Sequence, residues 1–349
     1  MILLKIVCAV LIFGLIILGH EFGHFVTARM CGVTVNEFSF GMGPRIFSVQ
    51  GKNTRFSLKA LPLGGSCEMK GELDDTSGDP DCFINKKPWQ RLIIIAAGPC
   101  FNFLMSFIVA CILVAALGSD RPVVGSLMNG LPGEKAGIQC GDEVIRINNR
   151  NIKLFREISV YNSLHQGEKF EVTILRADGK HTYVIEPEFN DEYGKYMLGI
   201  MSNPEDAFPE NILQLFKYGY YEVRYNFLIA IDSLSYIFNG HLTRDSVMGP
   251  VGIVGTITET VEEVAPKGAR ILFLTICDYI LLFGTNLGIM NLLPFPALDG
   301  GRILFIIIEM ILGRPVNREI EGYIHIGGFA VLMLLMLYIA FNDVIRLIG

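Results

Sequence analysis

His20, Glu21 and His24 form an HExxH motif, His20-Glu21-Phe22-Gly23-His24. On a helix this spacing puts two imidazoles one turn apart on one face, ready to share a Zn²⁺, with the glutamate beside them as general base. The motif ends an apolar run, Ile2 to Leu18, that contains one charge, Lys5. Ionisable groups beside a lipid-facing stretch are costly and mark function by default. A chance trio snorkelling toward water is the alternative, and within an apolar span it is the weaker reading. These residues point to a metal hydrolase, with Zn²⁺ as cofactor, working inside or at the edge of a membrane.

A catalytic zinc takes three protein ligands and keeps one position open. His20 and His24 supply two. Asp299 is the best third candidate, in Asn291-Leu292-Leu293-Pro294-Phe295-Pro296-Ala297-Leu298-Asp299-Gly300-Gly301. Two prolines there break a transmembrane helix, and irregular backbone at membrane depth is tolerated where it lines a cavity. A lone carboxylate in that setting needs a partner, and a metal serves. The alternative for Asp299 is an N-cap of the apolar stretch Ile303–Leu312. Other candidates are weaker. His325 reads as interfacial, His165, His181 and His241 as surface residues, and Glu309 as a structural buried acid.

The elements that must position these groups follow from composition. The chain has 349 residues, 51% hydrophobic and 18% charged, with mean hydropathy +0.44. Charged content near 25% is usual, so the shortfall indicates an integral membrane protein. The net charge of −6 gives no reason to expect nucleic acid. Stretches near 2–25, 92–117, 271–293 and 324–345 each suffice to cross ~30 Å of hydrocarbon. Ile303–Leu312 is too short to cross alone and extends the third span as a broken or half-buried helix. The first span lacks a basic leader and a small-residue cleavage site, so it is expected to be retained. Lys/Arg bias places the segment between spans one and two, rich in Arg29, Arg45, Lys52, Arg55, Lys59, Lys70, Lys86, Lys87 and Arg91, on the cytoplasmic side of a bacterial plasma membrane. Arg314 and Arg318 belong there too. The long segment between spans two and three then lies outside. Eight cysteines without a CxxC pair predict buried small residues or free thiols, with no extracytoplasmic disulfide.

The expected fold class is a polytopic α-helical membrane protein with about four spans, a membrane-associated β-hairpin or small sheet, and an inserted, mostly-β domain. Residues 1–118 form the N-terminal membrane part. Phe38–Phe40, Ile46–Val49 and Arg55–Leu61 read as short strands between Gly- and Pro-rich turns, and Glu72–Asp81 as a mobile acidic loop. Residues 119–190 form an extracytoplasmic domain. It resembles a PDZ domain through Gly133-Glu134-Lys135-Ala136-Gly137-Ile138 and Gly141-Asp142-Glu143-Val144-Ile145-Arg146-Ile147-Asn148. That resemblance implies either a groove for an extended peptide ligand or a brace for the membrane part. Residues 191–270 hold a linker and an aromatic amphipathic helix over Pro209–Asn239, interfacial or soluble. Residues 271–349 form the C-terminal membrane part.

Taken together, HEFGH, Asn291–Gly301 and the PDZ-like insert resemble the site-2 protease family of intramembrane metalloproteases. Within it, the chain is most similar to the bacterial regulator-of-sigma-factor group. Ala97-Gly98-Pro99-Cys100-Phe101-Asn102 resembles the family's AGPxxN motif, Met248-Gly249-Pro250-Val251-Gly252-Ile253 its MxGPVGI segment, and Phe40–Gly65 its membrane-reentrant hairpin. One PDZ-like unit stands where some members carry two. The resemblance implies hydrolysis of peptide bonds in or near the transmembrane segment of single-span membrane proteins, such as an anti-sigma factor or a remnant signal peptide. It implies Zn²⁺ on His20, His24 and Asp299, with Glu21 moving the proton. It also implies a strand-like edge within Phe38–Leu61, including Phe56 and Leu58, holding unwound substrate, with Asn291 contacting substrate backbone and Asn102 in a similar or a purely structural role. A metal transporter would show more polar spans or an inverted repeat, and a pseudoprotease would not keep Glu21.

Overall fold

The computed structural model describes residues 1–72, 78–202, 207–240 and 248–348. His241 and residues 73–77 of the acidic loop lie outside the described residues. Two compact units divide the chain, residues 1–109 with 242–349, and residues 110–241.

The first unit begins with helix α1 (Ile2–Met30). Cys8, Ile12, Ile16, His20 and His24 are buried at four-residue spacing, while Leu3, Val7, Leu11, Leu15 and Leu18 are exposed. This is the helical period with apolar residues on both faces, as expected of a helix between protein and lipid. The buried stripe runs straight into the two imidazoles.

Strands β1 (Val35–Gln50) and β2 (Arg55–Met69) make one long hairpin that doubles back on itself. Phe38 pairs with both Cys67 and Phe56, and Phe40 with both Gly65 and Leu58. Residues 37–40 ascend alongside 55–58, whereas 47–50 run antiparallel to 55–58. The result is four short strands in the order 65–69, 35–40, 55–58, 45–50. The bends fall at Gly41 and Gly43 (φ 89° and 85°) and Gly64 (φ 123°), conformations that glycine adopts without a Cβ clash. Buried Glu37 pins the fold-over, accepting hydrogen bonds from Arg45 at 2.7 and 3.0 Å and from Ser57 at 2.5 Å. Phe25 of α1 meets Phe38 and Phe56, with ring centroids 5.2 and 5.9 Å apart.

Helix α2 (Pro88–Leu117) carries Pro99 in its interior, which removes one helical N–H. It leads into the second unit. There β3 (Val124–Leu127), α3 (Pro132–Lys135), β4 (Glu143–Ile147), β5 (Arg150–Asn151), α4 (Arg156–Leu164), β6 (Phe170–Arg176), β7 (Gly179–Ile185), β8 (Glu188–Asn190), β9 (Lys195–Met197) and β10 (Ile200–Ser202) form a small β-rich domain. Its main sheet has the order β5-β4-β6-β7. Val144, Ile147, Ile158, Phe170, Val172 and Ile174 are among its core residues. β10 pairs with β3, so the domain continues past residue 190, where the sequence reading ended it. Three-residue strands carry too little alternation to be read. Helix α5 (Ile212–Phe238) is capped by Asn211, whose side chain accepts from Gln214 N–H at 2.9 Å. Arg224 of α5 pairs with Glu157 at 2.8 Å, Asp232 with Arg150 at 2.5 Å, and Glu222 with Arg156.

The first unit resumes with α6 (Pro250–Val264), α7 (Ala269–Leu292), α8 (Asp299–Leu312) and α9 (Arg318–Ile348). Asp343 of α9 is buried and accepts from the N–H groups of Gly249 and Gly252 at 3.1 and 2.8 Å. It thereby satisfies orphan donors at the start of α6. A Cβ on Gly249 would strike its carboxylate, and one on Gly252 would strike the Met248 side chain and crowd the carboxylate, a physical reason for both glycines of the MGPVGI segment. Among the described residues, four helices, α1, α2, α7 and α9, are long and apolar enough to cross a membrane. α8 is a separate short helix that follows the proline break. All eight cysteines are free.

Candidate metal centre

α1 contributes His20, Glu21 and His24. α8 contributes Asp299 in its first turn, delivered by the irregular stretch 293–298. Ala297 sits there at φ 76°, a conformation that a non-glycine residue adopts at a cost. Its N–H donates to His325 Nδ1 of α9 at 2.9 Å. Gly300 and Gly301 press on the carbonyls of Leu292, Leu293 and Phe295, leaving no room for a Cβ. Asp299 is not the helix cap. Leu298 occupies that position, without a side-chain cap bond, and the Asp299 carboxylate turns toward the histidines.

The three side chains converge. His20 Nε2 and His24 Nε2 lie 3.1 and 3.4 Å from Asp299 Oδ2 and 3.2 Å from each other. Ligands ~2.0–2.1 Å from a tetrahedral ion lie ~3.3 Å apart, so this triangle fits three corners around one zinc. Asp299 Oδ2 is buried with the two imidazole nitrogens facing it, and an ion between the three would satisfy them all. His24 Nδ1 lies 2.9 Å from the Ile94 carbonyl oxygen, which fixes the ring with Nε2 facing the centre. The same three residues form a group able to hold a metal, both histidines buried and Asp299 half-buried; in a second group Asp79 is exposed, Asp81 half-buried and Cys82 buried.

Neighbours make room for the site. A Cβ on Gly98 would collide with both imidazoles, and one on Gly23 with the Ala97 carbonyl. Glu21 stands beside the end of β2. A Cβ on Gly65 would come within 2.9 Å of its Cγ, and the Cys67 backbone faces its carboxylate. Asp299 also borders a cavity of about 610 Å³ lined by Arg91, Arg302, Glu72, Glu321 and His325. Arg91 pairs with Glu309 at 2.5 Å and Arg302 with Glu72 at 2.6 Å.

Of the residues expected to hold substrate, Asn291 is half-buried, with Nδ2 3.4 Å from His20 Nδ1. Asn102 has no exposed surface, so it cannot touch substrate, and its Nδ2 lies 3.3 Å from His20 Nδ1. Phe56 and Leu58 lie on a strand with neighbours on both sides. Their backbone has no open edge for strand addition, and Phe56 instead packs on Phe25 and Phe38. The edge strand nearest Glu21 is Gly65–Met69, which pairs with β1 on one side only. The sequence reading placed strands at 38–40, 46–49 and 55–61 and none over 65–69, so this edge was missed. His325 was read as interfacial. Its role emerges only from contact with a loop distant in sequence.

The sequence profile of Peptidase family M50 matches residues 8–335. A candidate zinc metalloprotease of Clostridium acetobutylicum is 34% identical over 341 residues, covering 98% of this chain and 97% of its own. The zinc metalloprotease RasP of Geobacillus kaustophilus is 30% identical, with 97% of each chain covered. RasP of Bacillus licheniformis is 28% identical, covering 98% of this chain and 99% of its own. With a family match along almost its whole length, the chain belongs to peptidase family M50, the site-2 protease family of membrane zinc metalloproteases.

Proposed function

We propose that the chain cleaves peptide bonds in or near the transmembrane segment of single-span membrane proteins, with His20, His24 and Asp299 as zinc ligands and Glu21 as general base. The observation that carries this reading is the ligand triangle at the buried face of a membrane-length helix, with Glu21 next to it. When bound, zinc supplies Lewis acidity, polarising the scissile carbonyl and making water acidic enough to lose a proton near neutral pH. Glu21 takes the proton of the attacking water and delivers it to the leaving amide nitrogen. The C–N bond breaks as the new C–O bond is made, giving an amine and a carboxylate.

A helical substrate has its backbone hydrogen bonds closed and must unwind before attack. The edge Gly65–Met69, beside Glu21, is placed to hold such a segment as an added strand, and Asn291 to hold its backbone. The charged cavity beside Asp299 suits water entry from the side that Lys/Arg bias marks as cytoplasmic. The β-rich domain reads as an extracytoplasmic PDZ module. Three ion pairs join it to α5.

Quantitative membrane proteomics of cells carrying wild type or Glu21→Gln tests the proposal. Single-span proteins, full-length or trimmed outside the membrane, accumulate in the variant. An unchanged membrane proteome under conditions where the wild type is expressed contradicts it.

A further inference from the structure

Asn102 has an unexplained feature. It is wholly buried on α2, its carboxamide nitrogen faces His20 Nδ1 at 3.3 Å, and its Oδ1 is buried with no partner. The Asn291 Nδ2 faces the same ring nitrogen at 3.4 Å. An imidazole that offers Nε2 to an ion carries its proton on Nδ1. That N–H needs an acceptor, and an amide NH₂ is not one. A half-rotation of the Asn102 carboxamide exchanges its nitrogen and oxygen without changing its shape. It gives the His20 N–H an acceptor and the oxygen a donor, and it moves the NH₂ to the place where the oxygen had no partner. Asn291 is half-buried and has no such need.

We infer that Asn102 is a positioning residue for the metal centre, its Oδ1 accepting the Nδ1–H of His20. This rests on the zinc-ligand reading of His20. α2 then orients both imidazoles of α1, His24 through the Ile94 carbonyl and His20 through the Asn102 carboxamide, eight residues and about two turns further along the same helix. Gly98 lies between these two supports and leaves the space that the rings occupy. Asn291 is left free for substrate. The assignment explains why a carboxamide with no access to substrate sits in a helix interior that is otherwise apolar.

The test is zinc affinity of the purified full chain, measured by competition with a chelator, for wild type, Asn102→Leu, Asn102→Asp and His20→Ala. Asn102→Leu weakens zinc ~10–100-fold. Asn102→Asp, which keeps an acceptor oxygen and loses the NH₂, retains affinity within about threefold or binds more tightly. Asn102→Asp as weak as Asn102→Leu, or Asn102→Leu equal to wild type, overturns the assignment. His20→Ala separates the two readings, because zinc retained in that variant removes the ligand assignment itself. A measurement on the wild type covers the case in which a variant fails to fold. With ¹⁵N-labelled histidine and zinc bound, the His20 ring carries a slowly exchanging proton on Nδ1. A proton on Nε2, or fast exchange at Nδ1, overturns the assignment.

Discussion

His24 Nδ1 lies 2.9 Å from the carbonyl oxygen of Ile94, so the aim of an imidazole carried by α1 is set by the backbone of α2. The turn that supplies this carbonyl is followed by Gly98 and Pro99. One keeps the space open for the rings, and the other removes a backbone donor from the helix. The proposed metal centre is therefore an assembly of three helices, α1, α2 and α8, and each can be tested separately.

Asp299→Ala removes the ligand that joins α8 to α1. Bound zinc in the purified protein falls at least ~10-fold, since losing a mere support of a ligand already costs that much. Elemental analysis by mass spectrometry checks it, and unchanged zinc content rules Asp299 out as third ligand.

The His325 contact predicts a compensating pair. His325→Leu removes the acceptor for the Ala297 N–H, at a cost of ~1–2 kcal/mol, and cleavage slows. Ala297→Gly relieves the positive φ at that residue and restores part of the loss, because glycine takes this conformation without steric penalty. Initial cleavage rates of the two singles and the double variant decide. A double variant no faster than His325→Leu shows that backbone strain at Ala297 does not matter.

In the β-rich domain, Asp142 is buried and accepts from Arg176 at 2.7 Å on each carboxylate oxygen and from Gln139 N–H at 2.8 Å. Burial pushes its pKa up, but the guanidinium and the backbone donor outweigh this, and it lies below the usual value. A depressed carboxyl adds stability above its unfolded pKa of ~4, and that stability is lost as pH falls through the folded value. Amide exchange in β4 and β6 of the full chain, corrected for intrinsic rates, therefore loses protection below pH ~4. Arg176→Met, which strands the buried charge at a cost of ~3 kcal/mol, shows low protection already at neutral pH. Equal protection in wild type and variant near neutrality contradicts the account.

How much of this was legible in sequence depends on range. HEFGH and the Pro-Phe-Pro-Ala-Leu-Asp-Gly-Gly stretch announce themselves because spacing on one helix and a proline break are local signals. The spanning helices were equally plain, since some twenty apolar residues in a row need no tertiary context. The doubling-back of β1 and β2 was not visible. Alternation locates strands, but it does not say that Phe38 has two partners. α4 went unread because nine residues with mixed charge carry a weak period. Asn102 stayed open between a substrate contact and a structural role because sequence reveals that a polar residue is present, not that it is sealed behind His20. Asp343 drew no reading from sequence, because its two glycine partners lie some ninety residues away.

The most direct test of the central claim uses purified protein reconstituted in lipid vesicles with a single-span substrate. Glu21→Gln keeps the three ligands and removes the group that moves the proton. The account predicts cleavage reduced by at least ~10²-fold with zinc content equal to wild type. Cleavage at the wild-type rate by the zinc-loaded variant would contradict it.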